Sequence, residues 1–277
     1  MTIMTSFTKF AHSLMPYQIL IKIHLYQAID ESMIRFKGRS SIRQYMPMKP
    51  IKRGYKVWVR SDETGFMSQF QIYTGKVSNL TEKSLGARVI KDLSRELVGN
   101  KHKLYYDNFC NSVKLQNSLL LEGIYACGTA RKNRKNMPND LRDDKHLKRG
   151  ESDYRVSTGG IVALKWMDRK SVLFISNFHD PANLETASRR KKDGSKEDVE
   201  CPSLVNDYNR HMGYVDKFDM LKSLYEIDRK SRKWWHRIFW MLICPFTLLL
   251  LDVPNAVAAR NHIEPYGSAQ HVTSDYA

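Results

Sequence analysis

"KLYYDNFCNS", residues 103 to 112, carries a short apolar run into an aspartate, Asp107. A run this short, made of large apolar residues, has the length of a buried strand. The polar turn after it opens "VKLQNSLLLEG", where Leu115 and Leu119 share one helical face, Asn111 or Ser112 can cap, and Gly123 terminates. The segment therefore predicts strand, loop and helix in an α/β fold. It also places Asp107 at the carboxyl end of a strand, where open α/β sheets build their sites. An aspartate there is as often a turn residue, so the reading depends on its partners.

The neighbouring segments extend the same pattern. Downstream, "IYACGTA" at 124–130 is a further strand. Upstream, "TEKSLGARVIKDLSRELVGN" is the clearest helix, with Thr81 as cap, Glu82 in its first turn, Leu85, Val89, Leu93 and Leu97 recurring every four residues, and a stop at Gly99–Asn100. Before it, "GYKVWVRSDETGFMSQFQIYTG" predicts strands over 54–60 and 66–73 around a turn at Asp62–Gly65. "LYQAID" predicts a short strand ending in Asp30.

After residue 130 comes a polar stretch to 155, then two strand-like pieces, "IVALKWM" and "SVLFISNF". A charged loop, "ASRRKKDGSKEDVE", leads to a helical block from about Leu204 to Leu251. Three early strands followed by alternating helix and strand predict an α/β, ribonuclease-H-like mixed sheet with flanking helices. A β-rich, charged insertion, about 131–203, precedes the last helical block. Residues 1–25 read as a leader, 26–257 as one domain and 258–277 as a short tail.

Composition narrows the partner. Lys and Arg outnumber Asp and Glu by 45 to 29, a net charge of +16, which favours an anionic partner such as nucleic acid. The four cysteines (Cys110, Cys127, Cys201 and Cys244) form no CxxC pair, so neither a zinc site nor a disulfide framework is expected. "WWHRIFWMLICPFTLLLLDV" is broken by His236, Arg237 and Pro245 into pieces shorter than the ~20 apolar residues of a membrane span, and reads as a kinked core helix.

If the strands bearing Asp30 and Asp107 are neighbours, both carboxylates emerge at one sheet edge. "MGYVDKFDMLKSLYE" adds Asp216 and Asp219, three apart and so on one helical face. Such an all-oxygen set suits Mg²⁺ or Mn²⁺, and two such ions can assist displacement at phosphorus. Each acid taken singly also fits a solvated or paired surface residue.

"AIDESMIRFKGRSSIRQYMPMKPIKRGYKVWVRSDETGF", "YYDNFCNS" with "EGIYACGTARKNRK", and "YNRHMGYVDKFDMLKSLY" with "KWW" occur in this order and resemble the transposase domain of piggyBac-type elements over roughly residues 28 to 257. The resemblance implies a ribonuclease-H-like DNA transposase that cuts element ends, passes through hairpin intermediates and inserts at TTAA. It makes Asp30, Asp107 and Asp216 the catalytic aspartates and metal ligands, with Asp219 a further acid at the metal site. It implies Mg²⁺ or Mn²⁺ as cofactor, DNA as partner, a homodimer, no small-molecule substrate, no membrane, and nuclear localisation. The family usually carries longer flanking regions, including a cysteine-rich zinc-binding domain; the chain thus reads as a catalytic core shortened at both ends. Tyr214 stands where the family often has a glycine. The alternative is a transposase-derived protein that binds DNA without cutting it.

Basic residues follow the strand at 124–130. Arg131, Lys132, Asn133, Arg134 and Lys135, together with Lys56 near Asp30, are the expected DNA contacts, since guanidinium forks suit phosphate oxygens. "SRRKKDGSK" at 188–196 reads as a charged loop, a phosphate contact or a localisation run, and "RKSRKWWHR" at 229–237 as a helix with a basic outer face.

Overall fold

The computed structural model describes residues 23–75, 82, 84–191, 193–224, 233 and 235–241. The predicted cap Thr81, the leader before residue 23, Trp234 and the tail at 258–277 lie outside them. The chain enters as β1 (Tyr26–Arg35), makes the two-residue β2 (Gln44–Tyr45) and returns as β3 (Arg53–Asp62) and β4 (Met67–Ile72). The turn joining the last two is organised by Asp62, whose carboxylate accepts the backbone N–H groups of Thr64 and Phe66. Helix α1 (Leu85–Ser94) and a 3₁₀ turn (Arg95–Leu97) lead to β5 (Lys103–Tyr106), α2 (Val113–Leu121) and β6 (Tyr125–Ala130).

Strand β1 pairs antiparallel with β3 and parallel with β5; β3 pairs antiparallel with β4, and β5 parallel with β6. The order β4-β3-β1-β5-β6, with those directions, is the ribonuclease-H-like core the element order predicts. The sheet then continues antiparallel from β6 through three more strands, β7 (Ser152–Val156), β8 (Val162–Met167) and β9 (Ser171–Ser176), in the order β6-β9-β8-β7.

Three expectations change here. Strand β7 occupies the end of the stretch read as merely polar. The charged "loop" is a hairpin, β10 (Leu184–Arg190) against β11 (Lys196–Pro202). Its charges face solvent while Ala187, Val199 and Cys201 turn inward onto β8 and β9, so one thin apolar row sufficed to fold it. Among the described residues, the last block opens as two helices, α3 (Ser203–His211) and α4 (Tyr214–Leu224), broken at Met212–Gly213, with 235–241 helical beyond them.

Packing makes three layers. Val89, Ile90, Leu93 and Leu97 of α1 and its 3₁₀ turn, with Leu115 and Leu119 of α2, cover one face of the sheet through Ile29, Trp58, Leu104 and Tyr106. Helix α4 covers the other face, setting Val215 and Phe218 on Ile34, Val57 and Val59, while α3 sets Leu204, Val205 and Tyr208 on Tyr105 and Phe174. Each fully buried side chain of this size contributes about 1.5–3 kcal/mol. At α2, Ser112 is the cap: its hydroxyl accepts Leu115 N–H at 3.2 Å. The helix ends at Gly123, whose φ of +71° suits glycine. Among the described residues, no helix is long and apolar enough to cross a membrane.

Candidate active site

The parallel register pairs Ile29 with Tyr106, so Asp30 and Asp107 are the next residues on adjacent strands. Asp30 does not end its strand. It lies mid-way along the ten-residue β1, at the point where β5 stops, and β1 runs on from there paired with β3. Alternation along β1 sends Asp30 and Ser32 to the α4 face and Glu31 to the other, where Glu31 accepts Lys56 Nζ at 2.5 Å.

Both aspartates are partly buried. Asp30 accepts Glu31 N–H at 2.7 Å, and Asp107 accepts Phe109 N–H at 3.0 Å. Among the described residues, neither forms an ion pair. Burial pushes the Asp30 carboxyl up to about 7, with the charge of Asp107 adding to it and Lys49 opposing. Burial also raises Asp107, helped by the charge of Glu31 and opposed by the N–H groups of Phe109 and Cys110. Lys49 answers the cluster: burial works against its charge, but Asp30, Glu31, Asp216 and Asp219 hold the ammonium above its ordinary range.

Helix α4 delivers the other two acids differently. Asp216, in the first turn, is exposed. Asp219 is engaged: its Oδ1 accepts Ser32 Oγ at 2.6 Å and also Lys222 Nζ, which in turn reaches Ser32 Oγ at 2.8 Å. That ties α4 to β1. Among the described residues, no three acidic, histidine or cysteine side chains converge tightly enough to cage a metal. The Asp30–Asp107 pair still suits a hard cation: two oxygen donors, side by side, each disfavoured in its charged form by burial and by a neighbouring carboxylate.

The loop after Asp107 is held by residues whose role the sequence did not reveal. Asn111, read as an alternative helix cap, instead donates to the Gly128 and Thr129 carbonyls at 2.8 and 2.9 Å. Its Oδ1 accepts Gln116 Nε2 at 3.1 Å. Arg134 donates to the Asn108 and Phe109 carbonyls at 2.7 and 2.6 Å, and Arg131 donates to Asn108 Oδ1 at 2.8 Å. Lys132, Asn133 and Lys135 are exposed. Lys56 is not on the open surface; besides Glu31, it lies over Trp58 and Phe109, 4.2 and 5.4 Å from the ring centroids. The basic loop after β6 is therefore divided between scaffold and exposed charge.

Gly128 explains the glycine within "CGT". A Cβ there would lie 2.4 Å from the Tyr106 carbonyl oxygen, so β5 and β6 approach too closely for a side chain. Gly128→Ala is expected to destabilise the fold by about 2 kcal/mol, seen as a lower urea midpoint; an unchanged midpoint would refute this packing account.

The comparisons bear on identity at this point. The family model described as "Transposase IS4" matches residues 17–246. "PiggyBac transposable element-derived protein 3" of Homo sapiens is 31% identical over 222 residues, covering 76% of this chain and 37% of that protein. "PiggyBac transposable element-derived protein 2" of Homo sapiens is 29% identical over 219 residues, with the same coverages. The cryo-EM structure of a piggyBac transposase synaptic complex with hairpin DNA superposes with a TM-score of 0.70 at 24% identity, covering 86% of this chain and 49% of that one. The chain thus spans less than half the length of these proteins, and the structural likeness supports the mixed α/β fold. By sequence the chain belongs to the Transposase IS4 family; it is similar to piggyBac transposable element-derived proteins and shares its fold with a piggyBac transposase.

Proposed function

We propose that the chain is the catalytic core of a piggyBac-type DNA transposase, performing metal-assisted cleavage and strand transfer at DNA phosphodiesters. The observation that carries this reading is that Asp30 and Asp107, from distant parts of the sequence, come directly after the paired residues Ile29 and Tyr106, where β5 ends beside β1. Asp30 and Asp107 would hold Mg²⁺ or Mn²⁺, with Asp216 completing the set from α4. When bound, such an ion activates the attacking hydroxyl and offsets charge on the scissile phosphate.

The chain's own residues do the rest. Ser32 and Lys222 anchor Asp219 and so fix α4 over β1. Lys49 balances the acidic cluster, and Arg134 shapes the loop that presents Asp107. Lys132 and Lys135 remain exposed beside that loop for the DNA backbone. Water would be the nucleophile of the first cut and a DNA 3′-hydroxyl that of later steps, with hairpin intermediates and TTAA targets as in the family it resembles. Nuclear residence follows from that substrate.

The test is a cleavage gel with labelled DNA carrying element ends or TTAA, with Mg²⁺ or Mn²⁺, beside Asp107→Asn. Metal-dependent cleavage that the variant lacks is the expected result. Equal DNA retention by both proteins without cleavage would replace this reading with that of a DNA-binding relic.

A further inference from the structure

His211 ends α3 and is almost fully buried. Its ring stacks on Tyr26 with centroids 4.2 Å apart and planes at 10°, and on Tyr105 at 4.8 Å and 19°; it meets Tyr214 edge-on at 5.7 Å. These three tyrosines come from the three elements that bear the candidate catalytic acids. Tyr26 opens β1, four residues before Asp30. Tyr105 lies on β5, two residues before Asp107, and Tyr214 opens α4, two residues before Asp216. In β1 and β5 the even spacing also puts each tyrosine on the same face as its aspartate.

The ring is not free to turn. Nδ1 lies 2.7 Å from the Asp207 carbonyl oxygen and 3.3 Å from Asp207 Oδ1. Both atoms can only accept, so Nδ1 carries the proton and donates. Asp207 is held in turn: its Oδ2 accepts Tyr105 OH at 2.5 Å and His179 Nε2 at 2.9 Å, and His179 Nδ1 lies 2.8 Å from Ser176 Oγ. Burial works against the Asp207 charge, but the bonds from His179, His211 and Tyr105 outweigh it and hold the carboxyl well below its ordinary range.

We propose that His211, oriented by Asp207, is a positioning residue for the reaction: the parallel ladder sets Asp30 beside Asp107, and the His211 ring seats the start of α4 against β1 and β5 and so places Asp216 relative to that pair. The inference rests on the catalytic reading above. It accounts for a feature that reading leaves open. Asp216 is exposed and, among the described residues, forms no hydrogen bond or ion pair with its side chain, feeling only the charge of Lys49, so its place depends on how α4 starts. That start is Tyr214, against His211. This end is also held by Val215, buried on Ile34, Val57 and Val59, and by Lys217, whose ammonium donates to the Glu63 carbonyl at 2.7 Å; His211 is what links it to Tyr105 of β5, while the far end is tied through Asp219 and Lys222.

The test titrates Mn²⁺ alone into the full chain, with free Mn²⁺ read by electron paramagnetic resonance, for wild type, Asp107→Asn, His211→Phe and Asp207→Asn. His211→Phe keeps an aromatic ring but loses the donor that orients it. Mn²⁺ affinity in His211→Phe and Asp207→Asn is expected to fall about 10- to 100-fold with the cooperative melt retained, the scale seen when groups behind metal ligands are removed. In the cleavage assay, kcat should fall while KM for DNA stays, because the exposed basic residues are untouched. Wild-type Mn²⁺ affinity in both folded variants would overturn the proposal. Loss of the cooperative melt in both would overturn it too, in favour of a purely structural network. Should wild type bind Mn²⁺ no better than Asp107→Asn, the carboxylate reading itself fails, and the positioning role fails with it.

Discussion

Asp30→Asn is expected to lower metal-dependent DNA cleavage by about a thousandfold or more while making the metal-free protein more stable. The loss follows from replacing one of the two paired carboxylates by a neutral amide, a much weaker partner for a hard cation. The gain in stability follows from linkage. Folding lifts the Asp30 carboxyl to about 7, chiefly by burial, whereas an unfolded aspartate titrates near ~3.9. The folded state therefore binds this proton more tightly, and the stability it contributes is fully present below about pH 4 and is lost as pH rises towards 7. At about pH 8 the ionised group costs about 2 kcal/mol, allowing for solvent around a partly exposed side chain. Melting curves in EDTA should place Asp30→Asn about 6 °C above wild type at about pH 8, with the two converging near pH 4. Added Mn²⁺ should raise the wild-type midpoint and leave the variant where it was. A variant that melts below wild type in EDTA at the higher pH would contradict the burial of this charge.

The second large effect is remote from the site. Arg60 on β3 is fully buried, and its guanidinium spends three donors: Nε on Ser68 Oγ at 2.8 Å, Nη1 on the Leu93 carbonyl at 2.7 Å, and Nη2 on Glu96 Oε2 at 2.9 Å. It thereby joins β3 to β4 and to the end of α1. Burial lowers its pKa, and Glu96 offsets this. Arg60→Ala removes three charge-assisted bonds and leaves the Leu93 carbonyl without this donor, at a cost of about 3–5 kcal/mol and a fall in Tm of about 10 °C. Arg60→Lys should be only a partial rescue, because a single ammonium cannot serve three divergent acceptors. Mn²⁺ affinity at temperatures where Arg60→Ala stays folded should match wild type; a large loss there would mean that the α1 face also shapes the site.

Much of this was legible in the chain itself. The four-residue repeat of Leu85, Val89, Leu93 and Leu97 marks α1 because a helix buries one stripe. The valines and aromatics in residues 54–73 mark β3 and β4 because such side chains pack well on a sheet; β3 is in fact buried on both faces, with Trp58 under α1 and Val57 and Val59 under α4. Asp107 could be picked out because the apolar run Leu104–Tyr106 stops where the polar residue begins. The same reasoning failed where apolar content was thin. The β10–β11 hairpin buries only a few residues of a charged stretch, and its fold is decided by what β8 and β9 offer it to pack against.

The three-dimensional arrangement decided what local pattern cannot encode. Nothing in "LYQAID" states that β1 continues through Asp30 to Arg35; pairing with β3 extends it, since backbone N–H and C=O groups must find partners. Lys56 was basic in the sequence and counted towards a DNA surface, but Glu31, Trp58 and Phe109 enclose it. Asn111 had the composition of a cap and serves as a clamp on β6. His211 stood inside a quoted motif without a role of its own, because its ring contacts are with tyrosines from three separate elements. Residue types and periods determine which segments become strands and helices, through interactions a few residues long. Which carboxylates meet, and what holds them there, depends on contacts between distant segments, and only the folded sheet with α3 and α4 against it brings those together.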